Sequence, residues 1–295
     1  MKPLSGVGLG WRRQLAHRID QETELGFVEV LAEHLNPTAP LPAPLVRLKE
    51  RGLPMVLHAV SLGLGGAEPP DPRRLDTLAR LAERLGAVCV SEHVAFVRAG
   101  GIESGHLLPV ARGDEALDLL AENVRLAQAA LPVPLALENI ATLFEWPEPA
   151  YTEAEFLTGL LSRTSTLLLL DVANLYANAL NLGTDTAAVL AAVPPERLAY
   201  VHVAGGVRHG ALYHDTHAHP VPSGPLDLLE TLAAQLGPVP ALLERDDHFP
   251  SPEELTAELR AIEAACARGV ARWKSEVAQR PELHAVTSSA PEVRP

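Results

Sequence analysis

Leu167-Leu168-Leu169-Leu170-Asp171-Val172-Ala173-Asn174 is the stretch whose reading decides the fold. It opens as a short, pure apolar run, far below the length of a membrane span, and it stops on a carboxylate. Runs of the same kind flank it at residues 6–9, 27–31, 55–62, 88–96, 135–140, 198–203 and 241–243. Between most of them lie helical patterns, as at 72–85, 114–131, 152–161 and 225–236. Apolar residues there recur three and four apart, as in Leu75, Leu78, Leu81 and Leu85. Helix starts are marked by Asp71 before Pro72, Asp114 before Glu115, and Ser251 before Pro252 with Glu254 three residues on.

Eight strands alternating with helices predict an α/β fold, a single (β/α)8 TIM-type barrel of the xylose-isomerase-like kind. The 295 residues allow roughly 37 per strand–helix unit. A doubly wound open sheet is the alternative. It has little support, because Gly6-Val7-Gly8-Leu9-Gly10 has the wrong spacing for a dinucleotide loop. We expect the barrel over residues 1–272. The polar segment 273–295 reads as a disordered tail.

Composition narrows the function. Lys and Arg total 24 and Asp and Glu 37, a net charge of −13, which disfavours a nucleic-acid partner. Hydrophobic residues at 47% and charged residues at 21% describe a folded domain. Two cysteines, Cys89 and Cys266, cannot build a disulfide framework or a thiolate metal site. The N-terminal residues show no apolar signal-peptide core, so a cytoplasmic protein without membrane association is expected.

The 12 histidines carry the functional argument. Strand ends three to eight read Leu57-His58-Ala59, Ser91-Glu92-His93, Glu138-Asn139, Asp171-Val172-Ala173-Asn174, His202-Val203 and Glu244-Arg245-Asp246. The loop after the seventh holds Asp215-Thr216-His217. In a barrel these ends converge on one pocket. Burying so many ionisable groups is costly unless they pair or bind a cation. His58, His93, Glu138, Asp171, His202, Asp215, His217 and Glu244 are therefore eight candidate metal ligands. That is enough for two or three ions, since one zinc takes about four. No thiolate is offered, so the set suits iron, manganese, zinc or magnesium. Singly, each residue also has an ordinary structural reading, and His214 and His219 read as solvated loop residues. Asn139, Asn174, Glu92 and Glu33 suit supporting roles around the ligands. Glu29 is equally consistent with support or structure. Gly205-Gly206 permits close backbone approach, and Cys89 reads as a core residue.

These motifs resemble the DUF692 family, also called UPF0276. The resemblance rests on Val28-Glu29-Val30, Leu57-His58-Ala59-Val60-Ser61-Leu62, Val90-Ser91-Glu92-His93, Glu138-Asn139, Leu170-Asp171-Val172-Ala173-Asn174 and His202-Val203-Ala204-Gly205. Asp215-Thr216-His217 with Pro220-Val221-Pro222, and Leu243-Glu244-Arg245-Asp246, complete it, in order over about residues 5 to 260. The resemblance implies a barrel carrying two or three irons in mixed Fe(II)/Fe(III) states, with dioxygen as co-substrate, on the eight ligands named above. It implies oxidative modification of cysteine or another residue in a ribosomally made precursor peptide, as in methanobactin biosynthesis. A small leader-binding partner protein is also implied. The sequence departs from the family pattern at Leu31 and His34, where His and Asn are usual, and lacks the aromatic after Pro109. Those departures bear on the substrate.

Two other readings use the same residues. A divalent-metal-dependent hydrolase or sugar isomerase on this barrel would need no dioxygen. A non-catalytic metal store or binding barrel would have a filled coordination sphere.

Overall fold

The computed structural model describes residues 3–22 and 24–279. Twelve strands are present among these residues: β1 (Val7–Trp11), β2 (Val28–Leu31), β3 (Met55–His58), β4 (Cys89–His93), β5 (Ala95–Ala99), β6 (Ile102–Pro109), β7 (Leu135–Glu138), β8 (Leu167–Asp171), β9 (Leu198–Val203), β10 (Val207–His209), β11 (Leu212–His214) and β12 (Ala241–Leu243). Eight of them close a barrel in the order β1-β12-β9-β8-β7-β4-β3-β2. All eight neighbouring pairs are parallel. Each of the eight expected strand regions contributes one barrel strand, and helices flank the barrel.

The strands alternate strictly between two apolar environments, as period-two side chains must. Outward residues such as Leu57, Val90, Leu137, Leu170, Val201 and Leu243 pack in the large cluster shared with the helices. Inward residues form a second cluster that fills the barrel floor: Phe27, Val56, Cys89, Ala136, Leu169, Tyr200 and Leu242. Two residues further along the same strands stand Glu29, His58, Ser91, Glu138, Asp171, His202 and Glu244. The site is therefore the next inward layer above an apolar floor. Cys89 belongs to that floor, and burial pushes its thiol up to about 12.

Several boundaries differ from the expectation. The first strand continues past Leu9 to Trp11. The third stops at His58, after which Ala59 N–H donates to the Ser91 carbonyl. The run 88–96 is two strands broken at Val94, because β5 leaves the barrel to pair antiparallel with β6. That hairpin turns on Gly100 and Gly101, both at positive φ. A second hairpin, β10–β11, turns at Gly210. Both hairpins rise beyond the C-terminal ends of the strands that precede them.

Helix starts follow the sequence with one exception. Asp71 accepts from Arg73 N–H, and Ser251 and Glu254 bond each other's backbone N–H. Asp114 does not cap: Gly113 holds that position, and the Asp114 carboxylate accepts instead from the Tyr151 hydroxyl. The expected break at residue 273 is also absent, since the last helix runs Pro252–Gln279. Its polar face is solvent-facing, and it is pinned to the helix Ser223–Leu236 by Arg268 and Arg272 on Glu230, at 2.6 and 3.0 Å. Residues 280–295 of the expected tail lie outside the described residues.

Leu169 is fully buried in the barrel floor directly under Asp171. Leu169→Ala is expected to cost about 2–5 kcal/mol, read by urea denaturation. A loss below about 1 kcal/mol would contradict the packing described.

Candidate metal centre

Seven of the eight candidate ligands fall into interlocking groups. His58, His93 and Glu138 form one group, Glu138, Asp171 and His202 a second, and Asp171, His217 and Glu244 a third. Within each group, one donor atom per residue lies within 4.8 Å of the others. Glu138 and Asp171 each belong to two groups, which is the arrangement bridging carboxylates require. Asp215 joins through His217, whose Nε2 lies 3.0 Å from Asp215 Oδ2. Glu29, His202 and Glu244 make a fourth group, so Glu29 lies at the cluster itself.

The distances are short throughout. His93 Nε2 is 3.3 Å and His58 Nε2 3.6 Å from Glu138 Oε2. His202 Nδ1 is 3.1 Å from Glu138 Oε1 and 3.2 Å from Glu244 Oε2. His217 Nδ1 is 3.3 Å from Glu244 Oε2. Side chains from seven barrel strands, Glu29 of β2 included, and one loop meet here at the C-terminal strand ends. The loop is held by local geometry. His217 adopts a positive φ of 51°, its carbonyl accepts from Asp246 N–H, and its Nδ1 lies 3.2 Å from Asp246 Oδ2. Gly205 lets the loop pass: a Cβ there would sit 2.2 Å from the His219 carbonyl oxygen.

Supporting residues divide into those that touch the cluster and those that do not. Glu92 accepts from His93 N–H at 2.7 Å and from Leu62 N–H at 2.8 Å, and so fixes His93. Asn139 exchanges two hydrogen bonds with the Asp171 backbone, and Asn174 N–H donates to Asp171 Oδ1. Asp171 thus caps the helix Val172–Leu182 with one oxygen and turns the other toward the cluster. Glu33 is exposed and accepts from Val60 N–H, bracing the loop after β3 rather than reaching the eight residues. His214 lines the cleft above the cluster, and His219 lies 2.9 Å from Thr216 Oγ1.

Three contributors were not assigned from the sequence. Arg12, 2% exposed, donates to Glu244 at 2.8 Å and to Asp246 at 2.6 Å. It stands just past β1, the position the other strand ends use, and reading β1 to Trp11 would have exposed it. Asp246 links Arg12 to His217. Tyr200 lies in the floor two residues before His202, and its hydroxyl donates to Glu29 at 2.5 Å. Nothing in the local sequence marks Tyr200 as other than a core aromatic.

Charge in this layer is dense and unevenly balanced. Burial opposes ionisation of Glu138, but His93 and His202 outweigh it and hold the carboxyl down to about 2. Burial likewise opposes charge on His93, yet Glu138 and Glu92 bring it up to about 9. His202 and His217 are also raised against burial, the first by Glu29 and Glu138, the second by Asp215 and Glu244. Glu244 is held low against burial by His217, His202 and Arg12. Asp171 goes the other way: burial, then repulsion from Asp215 and Glu138, pushes it well up. Glu29 Oε1, Glu138 Oε2, Asp171 Oδ2 and Asp215 Oδ1 are buried without a hydrogen-bond partner. Buried carboxylate oxygens in that state are costly. Their position among imidazoles, with no thiolate present, fits divalent or trivalent cations of the iron, manganese and zinc kind.

A cleft of about 850 Å³ opens above the cluster. His93, Asp215 and His217 form part of its floor, and Val97, Leu108 and Phe144 part of its walls.

Residues 6–267 match the family described as RiPP precursor modification enzyme MbnB/TglH/ChrH. The chain belongs to this family. A UPF0276 protein of Streptomyces avermitilis is 53% identical over 87% of the chain, which spans about half (54%) of that relative. A UPF0276 protein of Caulobacter vibrioides is 36% identical over 91% of the chain and 97% of its own length. Among solved structures, the TTHB071 protein of Thermus thermophilus, soaked with ZnCl2, has a TM-score of 0.55 at 24% identity, covering 88% of this chain and 98% of its own. D-psicose 3-epimerase in the presence of D-fructose has a TM-score of 0.52 at 12% identity, covering 90% and 97%. These likenesses show the xylose-isomerase-like barrel that the MbnB/TglH/ChrH family chain adopts.

Chelator-treated protein is expected to lose thermal stability between pH 6.5 and 9. His93 binds its proton more tightly folded, near 9, than at its ordinary 6.5. Its contribution is therefore whole below 6.5 and lost as pH rises through 9. The raised Asp171 acts in the same sense. A melting temperature that stays level or climbs across this range would refute the assignment.

Proposed function

We propose that this chain is a multinuclear iron, dioxygen-dependent enzyme. It oxidatively modifies cysteine, or another residue, in a ribosomally made precursor peptide. The observation that carries the reading is the interlocked layer of histidines and carboxylates, with four buried carboxylate oxygens that have no hydrogen-bond partner, beneath a large cleft in a member of this family. His58 and His93 with Glu138, His202 with Asp171, and His217 with Asp215 and Glu244 would hold two or three irons. Bound there, iron in Fe(II) and Fe(III) states would supply redox chemistry with dioxygen and would stabilise a substrate thiolate.

The chain's own residues then have distinct tasks. Glu92 and Asn139 fix His93 and Asp171, and Arg12 holds Glu244 as a carboxylate beside His217. The cleft is open enough for an extended peptide segment. Its walls, including Val97, Leu108, Ile140 and Phe144, bring apolar surface against that segment and exclude water around the reacting residue. The leader of the peptide is recognised by a small partner protein, and the reaction is cytoplasmic. Among the described residues no helix is long and apolar enough to cross a membrane.

Elemental analysis of the full chain purified without oxygen is expected to give at least two irons per chain. Peptide carrying cysteine should change mass only when dioxygen is admitted. Glu138→Ala, which strips a carboxylate shared by two groups, should lower metal affinity at least about tenfold and abolish turnover. Zinc or manganese in place of iron, with oxygen-independent turnover, would favour the hydrolase or isomerase. Full iron and full turnover in Glu138→Ala would sink the ligand assignment.

A further inference from the structure

Within the layer and through Tyr200 of the floor, a chain of buried hydrogen bonds joins two histidines that stand on different strands. His58 Nδ1 lies 2.8 Å from Ser91 Oγ. Ser91 Oγ lies 2.9 Å from the Tyr200 hydroxyl. Tyr200 donates to Glu29 Oε2 at 2.5 Å, and the same oxygen lies 2.8 Å from His202 Nε2. All five residues are at most 2% exposed, so water is not a competing partner at these atoms.

Counting protons gives the chain a direction. Tyr200 has one hydroxyl proton, and Glu29 takes it. The Ser91 hydroxyl must then donate to Tyr200, which leaves Ser91 able only to accept from His58. His58 therefore carries hydrogen on Nδ1 and turns Nε2 toward Glu138. At the other end, the Glu29 carboxylate accepts from His202 Nε2, and Nδ1 is the atom facing Glu138 and Glu244. We propose that Ser91, Tyr200 and Glu29 are positioning residues that fix opposite tautomers on His58 and His202, so that Nε2 of the first and Nδ1 of the second are presented to the metals.

The inference rests on the metal reading above, because a nitrogen must be free of its proton to ligate. It goes further by assigning each ring's ligating atom and by making one carboxylate answerable for both. Glu29 is the common acceptor, so its loss reaches both histidines. Ser91 serves His58 alone. Tyr200 can be emptied of function without being emptied of volume: phenylalanine keeps the ring against Phe27, at 5.6 Å between centroids, and removes the hydroxyl.

The test uses the full chain loaded with Zn(II) as a diamagnetic probe and labelled with 15N at histidine. Long-range proton–nitrogen correlation should show hydrogen on Nδ1 of His58 and on Nε2 of His202. Ser91→Ala should disturb the His58 signals only. Tyr200→Phe should also disturb His58, and Glu29→Gln both rings. Fe(II) affinity by anaerobic titration should fall roughly 10–100-fold in Tyr200→Phe and Glu29→Gln. Hydrogen on Nε2 of His58 would overturn the proposal. So would variants that melt earlier yet bind Fe(II) within about twofold of the native chain, the signature of packing alone. A native chain that takes up neither ion overturns the metal reading and the role drawn from it. Uptake by the native chain with unaltered variants overturns the positioning chain alone.

Discussion

The structure depends on the cost of burying five carboxylates, Glu29, Glu138, Asp171, Asp215 and Glu244, around one cluster. An isolated buried carboxylate costs several kcal/mol. The layer meets that cost in three ways. Arg12 neutralises Glu244 directly, and four histidines sit within a few ångströms of the acids. Asp171 alone is driven toward its protonated form. Even so, four carboxylate oxygens, one each on Glu29, Glu138, Asp171 and Asp215, have no hydrogen-bond partner. A protein selected for stability alone would carry apolar residues at these positions, as the floor one layer below does. The sequence keeps the charges, which is the mark of a site.

The arrangement is possible because of the barrel's period-two geometry. Seven of the eight strands deliver an apolar residue to the floor and a polar one to the layer above, two positions along, as in Val56 then His58, Ala136 then Glu138, Leu169 then Asp171, Tyr200 then His202, and Leu242 then Glu244. The floor is close-packed and holds the backbone that carries the donors. Flexible elements enter only from above, through the loop of Asp215 and His217 and the two hairpins. Even there the freedom is limited, since Asp246 binds both the backbone and the ring of His217.

This geometry also explains what the sequence made legible. Strands buried on both faces are apolar runs, and a run that ends on His, Asp or Glu announces its inward position at the strand end. All eight barrel strands and the converging residues were readable on that basis, as was the helix Pro72–Leu85. What escaped reading depends on contacts between distant residues. Arg12 follows a strand whose end was placed two residues early. Tyr200 looks like any core aromatic until Glu29 and Ser91 are seen beside it. The hairpin strand Ile102–Pro109 is largely exposed, so no burial pattern marks it. Residues 274–279 read as polar because they continue, largely exposed, a helix anchored further back by Arg268 and Arg272 to Glu230 on another element.

The division between layer and cleft has a functional consequence. His58, His93, Asp171, Glu244 and His217 are each held by a contact from Ser91, Glu92, Asn139, Arg12 and Asp246 in turn, so their geometry is set before any substrate arrives. The cleft is different: Leu143 and Phe144 in its wall are 51% and 43% exposed, and Phe144 meets Trp146 of the same loop edge to face. Exposed apolar groups at the mouth of a charged pocket are an unfavourable surface in an isolated protein and a favourable one against a peptide. A fixed centre under an exposed apolar rim separates two tasks: the layer sets the geometry of the donors, and the rim offers the surface on which a ligand is held.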